Sequence, residues 1–171
     1  LEYVVANGVK PGLIVMALSG QFLQSMHDAV ESAIASGFSV VVAAGNEGQN
    51  ACDFTPSSSP SSITVAATAS DDHATDYSNY GSCVDIYAPG NFIRTPGFSN
   101  KDTRLISGTS MACPFVAGIV AIHLQKNPNL TPDEVKTAIL DTCTHNQVYG
   151  DGIANGSPNR LAYLDPLFMT I

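Results

Sequence analysis

The chain has 171 residues, of which 44% are hydrophobic and 13% are charged. That composition is too apolar for a disordered chain and too lightly charged for a long coiled coil. The net charge is −8 and only 7 residues are Lys or Arg, so we expect no nucleic-acid partner, because phosphates would be repelled. The longest apolar run, Gly12 to Leu18, has the length of a strand and cannot span a bilayer, so we expect no membrane partner either.

The first part of the chain predicts helix, strand, helix and strand in turn. Leu1–Asn7 predicts a short helix, and Leu13–Met16 predicts a strand covered on both faces. Apolar residues spaced three and four apart after Ser25 predict an amphipathic helix that ends at Gly37, and Phe38–Ala44 predicts the next buried strand. A strand, helix and strand with short connections form a right-handed βαβ unit, which indicates an α/β fold.

The middle of the chain predicts a long loop followed by short strands. Gly45–Ser62 is rich in Gly, Asn, Pro and Ser, which is typical of irregular structure. Beyond it we predict two strands, Ile63–Ala67 and Val84–Tyr87, and a hairpin that pairs Phe92–Arg94 with Arg104–Ile106 around Gly97–Asn100.

Two helices are predicted in the last third of the chain. Phe115–Leu124 is apolar nearly all round, which predicts a buried helix. Thr131 has the position of an N-cap, with Pro132 as the first helical residue and Glu134 as the partner in a capping box. An apolar stripe then predicts that this second helix packs on the core.

Ser110 is the candidate nucleophile. A serine hydroxyl needs a base to take its proton and donors to hold the oxyanion that forms. Ser110 comes just before the buried helix, where free backbone N–H groups and the helix dipole favour negative charge. Gly108 would allow close backbone approach, and Pro114 would lie in the first turn, where its missing N–H costs little. The alternative is that Thr109 or Ser110 only caps the helix.

Asn46 is the second candidate. It follows the buried strand that ends at Ala44, and α/β proteins place their sites at the carboxyl ends of such strands. Its side-chain amide could donate a hydrogen bond to an oxyanion. The alternative is an asparagine that only shapes a turn.

Several segments, in chain order, match the motifs of one protein family. Val42–Asn46 matches a segment that ends in an oxyanion-hole asparagine, Ser107–Ala112 with Pro114 matches a nucleophile motif, and Ser157–Leu161 matches a closing segment. Together they resemble the subtilisin-like serine proteases (peptidase S8), and the closing segment resembles the proteinase K subfamily. The resemblance implies a subtilisin-like α/β fold with a parallel sheet flanked by helices. It also implies that residues 1–171 are the C-terminal portion of a single catalytic domain.

The resemblance implies a substrate-binding segment at Ala17, Leu18, Ser19 and Gly20. A polypeptide substrate would add to it as an extra β-strand. Ser19 stands where the family usually has glycine, so its side chain is expected to narrow the primary specificity pocket. Further walls of that pocket are expected from Ala43, Ala44, Gly45, Asp53 and Phe54.

The resemblance also implies a structural calcium ion as cofactor. Its ligands would be the backbone carbonyls of Pro60 and Ser62 and the carboxylate of Asp85, which are the hard oxygen ligands that Ca²⁺ prefers. Asp85 would be the single side-chain ligand. The alternative that Asp85 is an ordinary aspartate at a strand edge therefore stays open.

Four cysteines are present, and their spacing alone allows three pairings and predicts no zinc site. The resemblance implies a disulfide between Cys52 and Cys83 and a buried thiol at Cys113. Cys143 is expected to be free or to pair outside this chain. A disulfide is typical of a secreted protein or another oxidising compartment.

The family places its catalytic Asp and His upstream of the serine, and neither motif is present in this sequence. His123 lies 13 residues beyond Ser110, about 20 Å away along one helix, so it cannot act as the base. His27 and His73 lack the motif context and are expected at the surface, whereas His145 follows a predicted helix end and is expected to cap it. The base is therefore expected from residues outside this chain.

The chain is therefore expected to be the nucleophile-bearing portion of a serine endopeptidase that forms an acyl-enzyme on Ser110. Because the chain begins within a predicted helix, we expect either a two-chain enzyme, whose second chain carries Asp and His, or a fragment. The third alternative is a calcium-stabilised binding module without turnover, but the presence of both Ser110 and Asn46 argues against it.

Overall fold

The computed structural model describes residues 1–98 and 102–166, and it confirms an α/β fold with a mainly parallel sheet. The helices are α1 Glu2–Asn7, α2 Gln24–Ala35, α3 Thr109–Lys126, α4 Pro132–Thr142 and α5 Asp151–Ala154. The strands are β1 Gly12–Met16, β2 Gly20–Gln21, β3 Phe38–Ala43, β4 Phe54–Thr55, β5 Ile63–Thr68, β6 Ile86–Pro89, β7 Ile93–Pro96, β8 Thr103–Ile106, β9 Thr144–His145 and β10 Arg160–Leu161.

The main sheet has the strand order β1-β3-β5-β6-β10-β9. The pairs from β1 to β10 are all parallel, and only β9 runs antiparallel to its neighbour. Every residue of β3 and of β5 is buried, as expected for strands covered on both faces.

The two faces of β3 belong to different parts of the core. Val41 packs in a cluster that includes Val116 and Val120 of α3. Val40 and Val42 pack instead with residues of α2 in a second cluster. Because successive strand side chains point to opposite faces, this one strand fixes α3 on one side of the sheet and α2 on the other.

The predicted strands and helices of the first 98 residues are confirmed to within two residues, apart from one region. The predicted loop Gly45–Ser62 contains a 3₁₀ turn at Ala51–Asp53 and the short strand β4. Strand β4 pairs antiparallel with β2, which joins Gly20 to Thr55. A strand of two residues is too short to show an alternating pattern, so no sequence pattern predicts it.

The helix that carries Ser110 begins earlier than predicted. We expected it to start near Phe115, whereas α3 begins at Thr109. Pro114 is therefore the sixth residue of the helix, and its placement in the first turn was wrong. Because proline has no N–H, the carbonyl of Ser110 lacks its helical partner.

The predicted hairpin is formed by β7 and β8, which pair antiparallel from Ile93–Ile106 to Pro96–Thr103. Ser99 and Asn100, at the predicted turn, lie outside the described residues. Within the part of the chain that the structure describes, no helix is long and apolar enough to cross a membrane.

Helix α4 begins with the predicted capping box. The Thr131 hydroxyl accepts a hydrogen bond from the backbone N–H of Glu134, and the Glu134 carboxylate accepts one from the backbone N–H of Thr131 at 2.8 Å. The latter bond lowers the pKa of Glu134. Val135 and Ile139 are buried and pack the inner face of the helix against the core.

We expect Thr131→Ala to lower the free energy of unfolding by about 1 kcal/mol, because the first turn of α4 loses its side-chain acceptor. The measurement is chemical denaturation of both proteins. Thr137→Ala, at an exposed position of the same helix, is the control and should lose nothing, since alanine is the better helix former. Equal losses in both variants would contradict the role of the cap.

Candidate active site

The end of β3 and the start of α3 are joined by the side chains of Asn46 and Thr109. The Asn46 Oδ1 accepts hydrogen bonds from the Thr109 backbone N–H at 2.8 Å and from the Thr109 hydroxyl at 3.0 Å. The Thr109 hydroxyl in turn accepts a hydrogen bond from the Gly45 backbone N–H at 3.2 Å. With its carbonyl end engaged in this way, the Asn46 amide has its Nδ2 end left for another acceptor.

Gly45 is required at the turn after β3. Its φ of +105° lies in the region that glycine favours. A Cβ at this position would also lie 2.2 Å from Asn79 Nδ2 and 2.8 Å from Ser19 Oγ. A side chain here would therefore displace the turn that carries Asn46.

Ser110 is the second residue of α3 and is partly exposed. The N-cap of the helix is Gly108, which has no side chain that could cap it. The side-chain acceptor at this helix end is the Asn46 Oδ1, which accepts from the Thr109 N–H. The structure thus gives no support to the alternative in which Thr109 or Ser110 only caps the helix. Instead the Ser110 hydroxyl donates a hydrogen bond to the Ala17 carbonyl at 2.9 Å.

Gly108 is needed for its backbone conformation more than for space. Its φ is +154°, and a Cβ there would meet the Asn46 amide at 3.6 Å, which is an ordinary contact. The close approach expected at Gly108 is therefore not what excludes a side chain. The glycine lets the chain turn from the loop after β8 into α3, which sets the direction of the helix that carries Ser110.

The predicted substrate-binding segment lies beside Ser110. Ala17 and Leu18 are exposed, and Gly20 begins β2, which is already paired with β4. Ala17, Leu18 and Ser19 fall between β1 and β2 and belong to neither strand. The structure therefore brings this short unpaired segment, the nucleophile candidate and Asn46 together at one end of the sheet.

The predicted pocket walls differ in exposure. Ala43, Ala44 and Phe54 are buried, Gly45 is buried at the turn, and Asp53 is exposed. The Ser19 hydroxyl is buried and has no hydrogen-bond partner among the described residues. It lies 2.8 Å from the position that a Cβ on Gly45 would take. That Ser19 narrows the specificity pocket stays a prediction.

One polar residue that supports the site, Asn79, was missed by the sequence reasoning. Asn79, which is fully buried, donates to the Ala44 carbonyl at 2.9 Å and to the Glu47 carboxylate at 2.7 Å. Its Oδ1 accepts from the backbone N–H groups of Glu47 and Gln49. Asn79 thus fixes the turn after β3 through hydrogen bonds to residues on both sides of Asn46.

None of the four histidines contacts the Ser110 hydroxyl, whose hydrogen bond goes to Ala17. His27 packs against Phe22, and His73 pairs with Asp71. His123 is buried in α3, where burial lowers its pKa. His145 lies 3.7 Å from the Cys143 sulfur. Within the described part of the chain, the candidate nucleophile thus has no hydrogen bond to a histidine.

The cysteines follow the expected arrangement. Cys52 and Cys83 form a disulfide, while Cys113 and Cys143 are free and buried. Burial raises the pKa of the Cys113 thiol to about 12, so this neighbour of Ser110 is not a competing nucleophile at neutral pH.

The three groups expected to bind calcium converge on one point. The ammonium of Lys136 occupies that point, 2.9 Å from the Pro60 carbonyl and 2.6 Å from the Ser62 carbonyl. Both oxygens of the Asp85 carboxylate lie 2.9 Å from the same nitrogen. Burial raises the pKa of Asp85, and the positive charge of Lys136 opposes that rise. Lys136 was not identified from the sequence.

Comparison with known proteins agrees with this geometry. The model of the subtilase family (Peptidase S8) matches residues 13–159. An extracellular serine proteinase of Thermus sp. (strain Rt41A) is 44% identical over 95% of this chain and 40% of that protein. A putative subtilase-type proteinase of Schizosaccharomyces pombe, isp6, is 41% identical over 92% of the chain and 34% of that protein.

Solved structures show the same fold. A cold-adapted subtilisin-like serine proteinase superposes with a TM-score of 0.89 at 38% identity, over 96% of this chain and 59% of that one. A protease from Pseudoalteromonas arctica superposes with a TM-score of 0.75 at 27% identity, over 91% of this chain and 50% of that one. The predicted subtilisin-like fold is confirmed, and the chain spans less than two thirds of each of these four proteins.

We expect Thr109→Val to lower the free energy of unfolding by about 1–3 kcal/mol, because the buried N–H of Gly45 loses its acceptor. Thr109→Ser keeps the hydroxyl and is the matched control. Chemical denaturation of the three proteins measures the difference. If the valine variant is as stable as the serine variant, the hydroxyl does not hold this junction.

Proposed function

Since the chain belongs to the subtilase family, we propose that it supplies the nucleophile and the oxyanion donors of a serine endopeptidase. The observation that supports the proposal is the junction of β3 and α3, where the Asn46 side chain is hydrogen-bonded to Thr109, the residue before Ser110. The substrate is a polypeptide, and the reaction is hydrolysis of a peptide bond through an acyl-enzyme.

In the first step the Ser110 Oγ attacks the carbonyl carbon of the peptide while a histidine base takes the hydroxyl proton. The carbonyl oxygen becomes an oxyanion, which accepts hydrogen bonds from the Asn46 Nδ2 and from the backbone N–H of Ser110. That N–H lies in the first turn of α3 and has no helical acceptor. A donor such as Asn46 contributes about 10²–10³-fold to kcat where one has been removed.

Breakdown of the tetrahedral intermediate expels the amine, which takes the proton from the histidine, and leaves an ester on Ser110. Water then attacks this ester with the same base and releases the free serine. Cys113 takes no part, because its thiol is buried and faces the Val41 carbonyl.

The substrate backbone pairs with Ala17, Leu18 and Ser19. Support comes from their position beside the nucleophile and outside both neighbouring strands. Beyond them β4 already covers β2, so an added strand has free backbone groups only over this short segment. Ala43, Ala44, Gly45 and Phe54 line the adjoining pocket, and the Ser19 hydroxyl restricts its width.

The base and the aspartate that orients it come from an additional segment or a second chain. Two apolar surfaces near the site support this proposal. Val15 on the edge strand β1 is 44% exposed, and Phe115 on α3 is 48% exposed. Parallel sheets are ordinarily covered on both faces, so the exposed Val15 supports further protein packing beside β1. The exposed Phe115 is a second large apolar side chain that such protein would cover.

The compartment is the cell exterior or another oxidising environment. The disulfide between Cys52 and Cys83 supports this, since such bonds persist where thiols are not kept reduced. One relative is named as an extracellular proteinase. Hydrolysis by this route needs no metal ion, and the position expected for calcium, among Pro60, Ser62 and Asp85, is taken by the Lys136 ammonium.

We expect a fluorophosphonate probe to label Ser110 in native material that contains the completing segment. Labelling should vanish in Ser110→Ala, because no other residue carries the activated hydroxyl. Ser70→Ala, at an exposed position after β5, should label as the wild type does. Peptide mass spectrometry locates the label. Complete material that is never labelled at Ser110 would favour the binding module without turnover.

We also expect the native material to yield a second polypeptide, or a longer single one, when its intact mass is measured under denaturing conditions. The 171-residue chain alone should retain only the roughly 10³–10⁴-fold acceleration over water that oxyanion donors and binding provide. Full peptidase activity from this chain alone would contradict the need for an external base.

A further inference from the structure

The cation position among Pro60, Ser62 and Asp85 is filled by a side chain of the protein. The Lys136 ammonium lies within 2.9 Å of both backbone carbonyls and of both carboxylate oxygens. Its three N–H donors therefore meet two carbonyls and one carboxylate, which satisfies the group completely. The Asp85 carboxylate also accepts a hydrogen bond from the Thr64 backbone N–H at 2.8 Å.

Burial makes this arrangement more than a surface ion pair. The side chains of Lys136 and Asp85 are only 18% and 17% exposed. An ion pair that is largely removed from water is stable only when its remaining donors and acceptors are paired, and here the carbonyls of Pro60 and Ser62 provide that pairing.

Helix α4 positions Lys136 at this point. Lys136 follows Val135, which is fully buried, and Ile139 anchors the next turn of α4 on the same core. The capping box at Thr131 fixes the start of the helix. The helix axis and rotation are thus set by contacts that do not involve Lys136, and they direct its side chain toward the Pro60–Ser62 loop.

The geometry fits an ammonium and leaves no room for a metal ion. The distances of 2.6–2.9 Å are those of charge-assisted hydrogen bonds, whereas Ca²⁺ takes six to eight oxygens at about 2.3–2.6 Å. The protein offers four oxygens here, two of them from one carboxylate. A calcium ion could enter only if the ammonium left.

We propose that Lys136 takes the place of the structural calcium ion in this chain, so that this site holds no divalent cation. The tethered ammonium joins the loop before β5, the start of β6 and helix α4. Because the cation is part of the chain, the link does not depend on the concentration of free calcium. The inference is independent of the proposed peptidase activity and concerns stability alone.

Lysine reactivity in the wild-type protein tests the inference directly. Reductive methylation of the native protein, followed by peptide mass spectrometry, should modify Lys136 far more slowly than the exposed Lys10 and Lys126. The rate at Lys136 should be the same in EDTA and in millimolar calcium chloride. A rate at Lys136 that equals the exposed lysines, or that rises when calcium is added, would overturn the proposal.

Substitution provides the second test. The wild-type Tm should be the same in EDTA and in calcium. Lys136→Ser should melt several degrees lower than the wild type in EDTA. It should regain part of that loss in calcium, because the oxygens of Pro60, Ser62 and Asp85, together with water, can then bind the ion. Adding Asp85→Asn should remove that gain, and Lys126→Ser is the charge-matched control. The proposal fails if EDTA lowers the Tm of the wild type, if it does so equally in Lys136→Ser, and if Asp85→Asn abolishes this effect. That result would show that calcium occupies the site.

Discussion

The hydrogen bonds between Asn46 and Thr109 are the constraint on which the site depends. They tie the turn after the fully buried strand β3 to the first residue of the helix that carries Ser110. The same Thr109 hydroxyl satisfies the N–H of Gly45, which would otherwise be buried without an acceptor. A single threonine therefore fixes the orientation of the amide, the turn below it and the start of α3, so these features cannot vary independently.

Much of the fold was predictable because its signals are local. Strand β3 is apolar apart from Ser39, and the cap of α4 depends on Thr131 and Glu134, which are only three residues apart. The early start of α3 was missed because a proline is typical of the first turn of a helix, so Pro114 was placed there. The residues that precede Pro114 are held in the helix by hydrogen bonds from Thr109 to Asn46, which is distant in sequence.

Residues that act through distant partners were not predictable in the same way. Ser110 and Asn46 were identified because their motifs resemble a family, but Thr109 and Asn79 act across more than 30 residues of sequence. Lys136 is the clearest case, since it meets Asp85 at a separation of 51 residues. In a chain with 7 basic and 15 acidic residues, one of the few positive charges is thus committed to a largely buried position.

Strand β1 forms one edge of the main sheet that the described residues build, and the side of β1 away from β3 has no strand beside it. Its backbone N–H and C=O groups on that side are a template for another strand, and Val15 gives the edge an apolar character. The strand is five residues long and carries no charged side chain or proline that would discourage pairing. An isolated copy of the chain is consequently prone to edge-to-edge aggregation. Protein that packs beside β1 would therefore raise the solubility of the chain as well as extend its sheet.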